Sequence, residues 1–231
     1  MFIIPIKVTQ RNYTAPVVTA LIVLANVLVF LHQFSLEWTD PRLLNRFMRL
    51  YALRPAFLWS HPATLVTSAF LHSGWIHIAG NMLFLWVFGK NVEDLLGHFR
   101  YLLFYLACAV VAGLAQVAFD PFSHVPIVGA SGAIAGVMGA YLIKFPRSSV
   151  VMLFWVLFIF TFDLPAWLML VYWFLLQLLG GFGSIAEPEY AQTGGVAFFA
   201  HVGGFVAGIV LMRLLAPRQR RWRPGDTVEY Q

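Results

Sequence analysis

The sequence predicts an all-α polytopic membrane protein with six spans, and three observations carry that prediction. Of its 231 residues, 60% are hydrophobic and only 11% are charged. The mean hydropathy is +0.77, far above that of soluble globular chains. The apolar residues also gather into runs of about twenty, the length at which a helix crosses ~30 Å of hydrocarbon. A water-soluble core of this size would need many more surface charges. Lipid instead demands apolar side chains outward and every backbone group satisfied within helices. The single cysteine, Cys108, lies mid-span and excludes an intramolecular disulfide.

Taken in order, residues 1–14 are mixed and polar, with no short apolar segment of a cleavable signal. Span one is expected over Ala15 to Phe34. The loop from Ser35 to Trp75 is long, and Asp40 to Tyr51 within it interleaves Leu43, Leu44, Phe47, Met48 and Tyr51 with Arg42, Arg46 and Arg49, the pattern of an interfacial helix. Span two is expected over Ile76 to Asp94, span three over Tyr101 to Phe119, and span four over Ala130 to Phe145, closed by Pro146. The apolar run from Ser149 to Gly180 is too long for one crossing and too short for two with a turn. Asp163-Leu164-Pro165 divides it, so Pro165 to Gly180 is read as span five and Val150 to Phe162 as a buried or re-entrant stretch that does not cross. Gly181 to Gly195 is read as a loop and Ala197 to Leu215 as span six. The membrane domain is then 15–216, between a cytoplasmic segment 1–14 and a basic cytoplasmic tail 217–231.

Basic residues orient this arrangement. With the N-terminus inside, the inner segments hold Lys7, Arg11, Lys90, Arg100, Lys144, Arg147, Arg213 and the arginines of the tail, while the loops 120–129 and 181–196 hold none. The arginines of the first loop depart from the rule but lie on or beside the interfacial helix, where lipid phosphates pair with them. Both termini are expected inside, and the plasma membrane of a prokaryote is the expected location. The cluster Arg218-Gln219-Arg220-Arg221-Trp222-Arg223 reads as an anchor to anionic lipid rather than a nucleic-acid site.

The chemistry centres on Ser131, at the start of span four. Small residues recur four apart on two stripes, Ser131/Ala135/Gly139 and Gly132/Gly136/Ala140. Span six repeats the design, with His201 at its start followed by Gly204 and Gly208. Such faces allow backbone-to-backbone approach and would bring Ser131 against His201. A serine hydroxyl needs a base to take its proton, and histidine is the usual partner. Asp120, Asp163, Glu187 and Glu189 all fall in loops or breaks, so a dyad is expected rather than a triad. His77 and Asn81 stand four apart on one face of span two, with His72 above them, and they are candidate donors to an oxyanion, as are the unpaired N–H groups opening span four. Singly, each residue reads as packing or as an interhelical hydrogen-bonding group. Together they place four costly intramembrane polar groups, His77, Asn81, Ser131 and His201, at one level. His72 and His77 have no Cys, Asp or Glu to complete a metal site, and no metal or cofactor is expected.

These residues resemble the rhomboid intramembrane serine proteases. The likeness runs from Tyr51 to about Leu215 and rests on His72, His77 and Asn81, on Gly129-Ala130-Ser131-Gly132, and on Ala200-His201 with Gly204 and Gly208. It implies a six-helix bundle with a water-filled cavity open to the outer side. There Ser131 would attack a peptide bond, His201 would serve as general base and then acid, and His77, Asn81 and the Ser131 N–H would hold the oxyanion. The implied partners are transmembrane protein substrates that enter laterally from the bilayer and unwind near small or helix-breaking residues. The stretch Val150 to Phe162 and the lack of a seventh span depart from the family's smallest members. Two other readings stay open: a non-catalytic relative that binds transmembrane helices, favoured if Ser131 and His201 do not touch, and a transporter using the same polar groups.

Overall fold

The computed structural model describes residues 2–155, 159–186 and 196–216. Its helices are α1 (Val17–Thr39), α2 (Pro41–Tyr51), the single turn α3 (Thr64–Thr67), α4 (Trp75–Leu96), α5 (His98–Phe119), α6 (Ser131–Lys144), α7 (Ala166–Ala186) and α8 (Phe198–Leu215). Three strands, β1 (Phe2–Val8), β2 (Ser149–Trp155) and β3 (Ile159–Pro165), form an antiparallel sheet in the order β1-β2-β3. The predicted tail 217–231 and most of the predicted loop after span five lie outside the described residues.

The bundle is arranged around α6. From Gly132 to Tyr141 every residue of this helix is buried, and α6 and α8 share the most extensive contact of any two elements. The predicted small-residue faces produce that contact. A Cβ added to Gly204 would fall on the Gly132 carbonyl oxygen, and one added to Gly208 on the Gly136 carbonyl oxygen. Close backbone approach of this kind supplies the packing that drives helix association in lipid. α5 completes the cluster, since a Cβ on Gly132 would lie 2.6 Å from the Cβ of Ala112.

α1, α5, α7 and α8 are long and apolar enough to cross a membrane. α4 carries Lys90, Glu93 and Asp94 in its last two turns, and α6 has 14 residues, about 21 Å of helix, so neither stands out by length and composition. α1 extends five residues beyond its predicted end, and α7 continues past Gly180 to Ala186. The helix expected in the first loop appears as α2, opened by the Asp40 side chain accepting from the Arg42 N–H at 2.8 Å.

The stretch Val150 to Phe162 departs from the prediction. Residues read as buried or re-entrant form instead the hairpin β2-β3, which also captures the N-terminal segment as β1 and adds a small sheet to the helical class. The strands are rich in β-branched and aromatic residues, which suits a pleated surface. Alternate residues Val150 and Met152, with Val8, are buried against the bundle. Pro5 adjoins a register shift in the edge strand β1, where a missing N–H is tolerated.

This sheet follows the C-terminus of α6, so it lies at the end of the bundle opposite Ser131. At that end Glu93, fully buried, accepts from the N–H groups of Val18 and Thr19 at 2.8 Å each and from the Thr19 hydroxyl at 2.6 Å. Asp94 accepts from the Thr14 N–H at 2.9 Å. Glu93 thus occupies unpaired donors at the N-terminus of α1, where helix polarity favours negative charge, and Asp94 holds the segment leading into it. At the other end, Leu53 and Ile127 form an isolated antiparallel bridge, and the Gly129 N–H donates to the Ser68 carbonyl at 3.0 Å. The long first loop thereby holds the segment leading into Ser131.

Candidate active site

Ser131 is the first residue of α6, and His201 lies in the first turn of α8. The two helices present these residues at the same end because both run in the same direction along their shared glycine seam. His201 Nε2 stands 2.7 Å from Ser131 Oγ. The opposite ring nitrogen, Nδ1, stands 2.7 Å from Gln177 Oε1 on α7. The imidazole centroid lies 5.7 Å from that of the Trp173 ring, the planes tilted by 39°, one turn before Gln177 on the same side of α7. The Ala200 N–H, an orphan donor at the start of α8, donates to Gln116 Oε1 of α5 at 3.1 Å.

Beyond the serine, Gly129 adopts φ +123°, a conformation that disfavours any side chain. The space its Cβ would take adjoins His77 Nε2 at 2.8 Å and Ser131 Oγ at 3.6 Å. Gly129 therefore leaves open the gap between these two groups. His77 Nδ1 is 2.9 Å from Ser73 Oγ and accepts from the Ser73 N–H at 3.5 Å, so Nδ1 is the acceptor and the ring proton sits on Nε2. In that arrangement Nε2–H points its donor towards the Gly129 gap. Asn81, one turn along α4, is buried, and its amide Nδ2 has no hydrogen-bond partner. A buried donor left unpaired is costly and suits a site that receives an acceptor during a reaction. The Ile134 N–H is paired with the Ala130 carbonyl at 2.9 Å, whereas the N–H groups of Ser131, Gly132 and Ala133 precede the first intrahelical bond.

His72 sits in the loop above α4. Its backbone is held by Gln33 of α1: the His72 N–H donates to Gln33 Oε1 at 3.1 Å and the Gln33 amide donates to the His72 carbonyl at 3.2 Å. Its ring lies 5.1 Å from that of His77, edge to face, with both nitrogens unpartnered. Burial, with the neighbouring His77 ring adding to it, pushes the His72 pKa down to about 3. The ring is therefore neutral at ordinary pH. Among the described residues, no group of three or more His, Cys, Asp or Glu is placed to hold a metal ion.

Residues 59–218 match the family model of the Rhomboid domain. The chain belongs to the rhomboid family. It is 28% identical over 169 residues to Rhomboid protein 1, mitochondrial, of Saccharomyces cerevisiae, covering 71% of this chain and 45% of that protein. It is 45% identical over 78 residues to the rhomboid protease GluP of Bacillus subtilis, covering 34% of this chain and 15% of that protein. To the human presenilin-associated rhomboid-like protein, mitochondrial, it is 32% identical over 145 residues, covering 61% of this chain and 36% of that protein. The matched segment spans less than half the length of each of these relatives.

In this rhomboid residues singled out in the sequence come together: Ser131 with His201, His77 with Gly129, Gly132 with Gly204, and Gly136 with Gly208. The sequence reading missed Gln177, Gln116 and Trp173. The two glutamines did carry a signal, since an amide inside an apolar run is costly unless paired. Neither belongs to a spaced motif, and only the packing of α7 and α5 on α8 shows what they bond.

Proposed function

We propose that this rhomboid is an intramembrane serine endopeptidase acting through a Ser131–His201 dyad on transmembrane segments of other proteins. The 2.7 Å contact between His201 Nε2 and Ser131 Oγ carries the reading. It also speaks against a non-catalytic helix-binding relative, which would not need the two to touch.

In the first step Ser131 Oγ attacks the scissile carbonyl as His201 Nε2 takes its proton. The resulting oxyanion is received by Asn81 Nδ2, by His77 Nε2 and by the Ser131 N–H, all of which lack a competing acceptor near the gap beside Gly129. His201 then gives the proton to the departing amine, leaving an acyl-serine. A water molecule, deprotonated by His201, attacks that ester and frees Ser131. His72, Gly129, Gly132, Gly204 and Gly208 support this arrangement through packing and backbone freedom.

The same reading has six crossings, with α4 and α6 joining the four longer apolar helices. α6 is shorter than the hydrocarbon but is enclosed by its neighbours, so its ends need not reach lipid headgroups, and Ser131 lies below the outer boundary under a water-filled cavity. Lys7, Arg11, Lys90, Arg100, Lys144, Arg147 and Arg213 all belong to the end bearing the sheet. By the distribution of basic residues that end is cytoplasmic, with both termini inside the plasma membrane of a prokaryote, a membrane domain over 15–216, and the tail 217–231 held to anionic lipid.

The test is covalent labelling of the detergent-solubilised protein with a fluorophosphonate, read by intact mass and peptide mapping. One adduct on Ser131, absent from His201→Ala and Ser131→Ala, is expected. Absence of an adduct in folded protein, with the reagent shown to reach the cavity, sinks the protease reading.

A further inference from the structure

We infer that Gln177 is a positioning residue for His201: its Oε1 accepts the Nδ1 proton and holds the imidazole in the tautomer whose Nε2 lone pair faces Ser131. The inference rests on the serine-protease reading and adds to it a third group from a separate helix.

A neutral imidazole has one N–H and one lone pair. The two ring nitrogens of His201 each have a partner at 2.7 Å. Gln177 Oε1 is a carbonyl oxygen, which can only accept, so Nδ1 carries the proton. Nε2 is then the acceptor and takes its hydrogen bond from the Ser131 hydroxyl. The alternative tautomer would place Nε2–H against Ser131 and remove the base.

Among the described residues no carboxylate is bonded to His201. Asp163 lies in β3, and Glu93 and Asp94 lie at the same far end of the bundle. In a buried apolar site an amide supplies the acceptor without the desolvation cost of a second ion. When His201 takes the serine proton, its bond to Gln177 becomes charge-assisted and strengthens, which favours the transition state over the resting state. α7 supports the ring twice, through the Gln177 hydrogen bond and through the tilted Trp173 ring beside it. The orientation of His201 thus depends on how α7 is seated, not only on the α6–α8 seam.

The experiment compares wild type, Gln177→Met and Gln177→Glu in full-length protein. Methionine keeps the length and removes the acceptor, whereas glutamate keeps the acceptor and adds charge. Fluorophosphonate labelling rate against pH, and kcat and KM for a transmembrane reporter substrate in proteoliposomes, are measured. Gln177→Met is expected to lower labelling rate and kcat by about tenfold or more, with KM within about twofold. Gln177→Glu is expected to recover most of the rate and to move the acidic limb of the pH profile upwards, because an adjacent carboxylate stabilises the imidazolium. A purely structural glutamine would leave the labelling rate of folded Gln177→Met near that of wild type.

A Gln177→Met rate within about twofold of wild type overturns the inference, as does a Gln177→Glu profile that superimposes on the wild-type one. Should Gln177→Met fail to fold, the Gln177→Glu profile decides alone. A wild type that is not labelled at Ser131 removes the protease reading and this inference with it, whereas a labelled wild type with unmoved variants removes only this inference.

Discussion

The carbonyl oxygen of Gly132 occupies the position that a Cβ on Gly204 would need. α6 and α8 therefore touch through backbone just below Ser131 and His201, and the obstruction is an atom that no rotamer change can move. Gly204→Val must separate the helices and with them the dyad. It should lower stability by about 1–3 kcal/mol and abolish fluorophosphonate labelling of Ser131. Gly183→Ala is the control, since nothing lies within 4 Å of the added carbon. Thermal denaturation in detergent and labelling mass spectrometry check both outcomes, and retained labelling in Gly204→Val would count against the seam as the device that sets the dyad.

Asn81, one turn after His77 on α4, has a buried, unpartnered Nδ2 and is one of the proposed oxyanion donors. Removing one oxyanion donor among several should lower kcat by roughly ten- to a hundredfold while leaving KM nearly unchanged. His201→Ala removes the base itself and should cost more, on the order of a thousandfold or greater. Steady-state cleavage of a transmembrane reporter in proteoliposomes separates the two. An Asn81→Ala variant with raised KM and unchanged kcat would assign Asn81 to substrate binding instead.

Glu93 ties α4 to the N-terminus of α1 through three donors and also contacts His98 Nδ1 at 2.6 Å. Glu93→Gln replaces one accepting oxygen by a donor group that faces other donors. A loss of about 2–4 kcal/mol is expected, the range for breaking a buried, hydrogen-bonded charge. The site lies at the opposite end, so labelling of Ser131 in the folded fraction should persist. Denaturant titration with activity-based labelling of the same samples tests both halves of the statement.

His72 gives a pH dependence with a definite sign. Its folded pKa lies near about 3, against 6.5 for the free side chain, chiefly because burial disfavours the charged ring. Between these values the unfolded chain binds the extra proton, so its contribution to stability is full above pH 6.5 and is lost as pH falls towards 3. His72→Phe keeps the backbone bonds to Gln33 and removes the titrating group. Its melting temperature should fall less than that of wild type between about pH 7 and about pH 4.5, measured by differential scanning fluorimetry. Equal falls would show that other groups govern the acid sensitivity.

Much of the site was legible because its residues lie at the starts of spans and in short spaced motifs. Ser131 with Gly132 and Gly136, and His201 with Gly204 and Gly208, carry their packing geometry in the four-residue interval, and the helices meet as that interval requires. His77, which borders the Gly129 gap, was legible from the same interval on α4. The run after Pro146 was not legible in this way. An apolar segment of that length has no periodicity that separates a buried helix from buried strands, and the partner that makes Val150 and Met152 a strand is β1, at the far end of the sequence.

Hydropathy and helical spacing are local properties, so the residues in order were enough to specify the membrane class and the pairing of Ser131 with His201. The sheet completed by residues 2–8, the closure of the α1 end by Glu93 and the reach of Gln177 to His201 Nδ1 are set by packing alone. Those relations join segments far apart in the chain. A lone glutamine or glutamate shows its cost in the sequence, but its partner is set by how the helices stack.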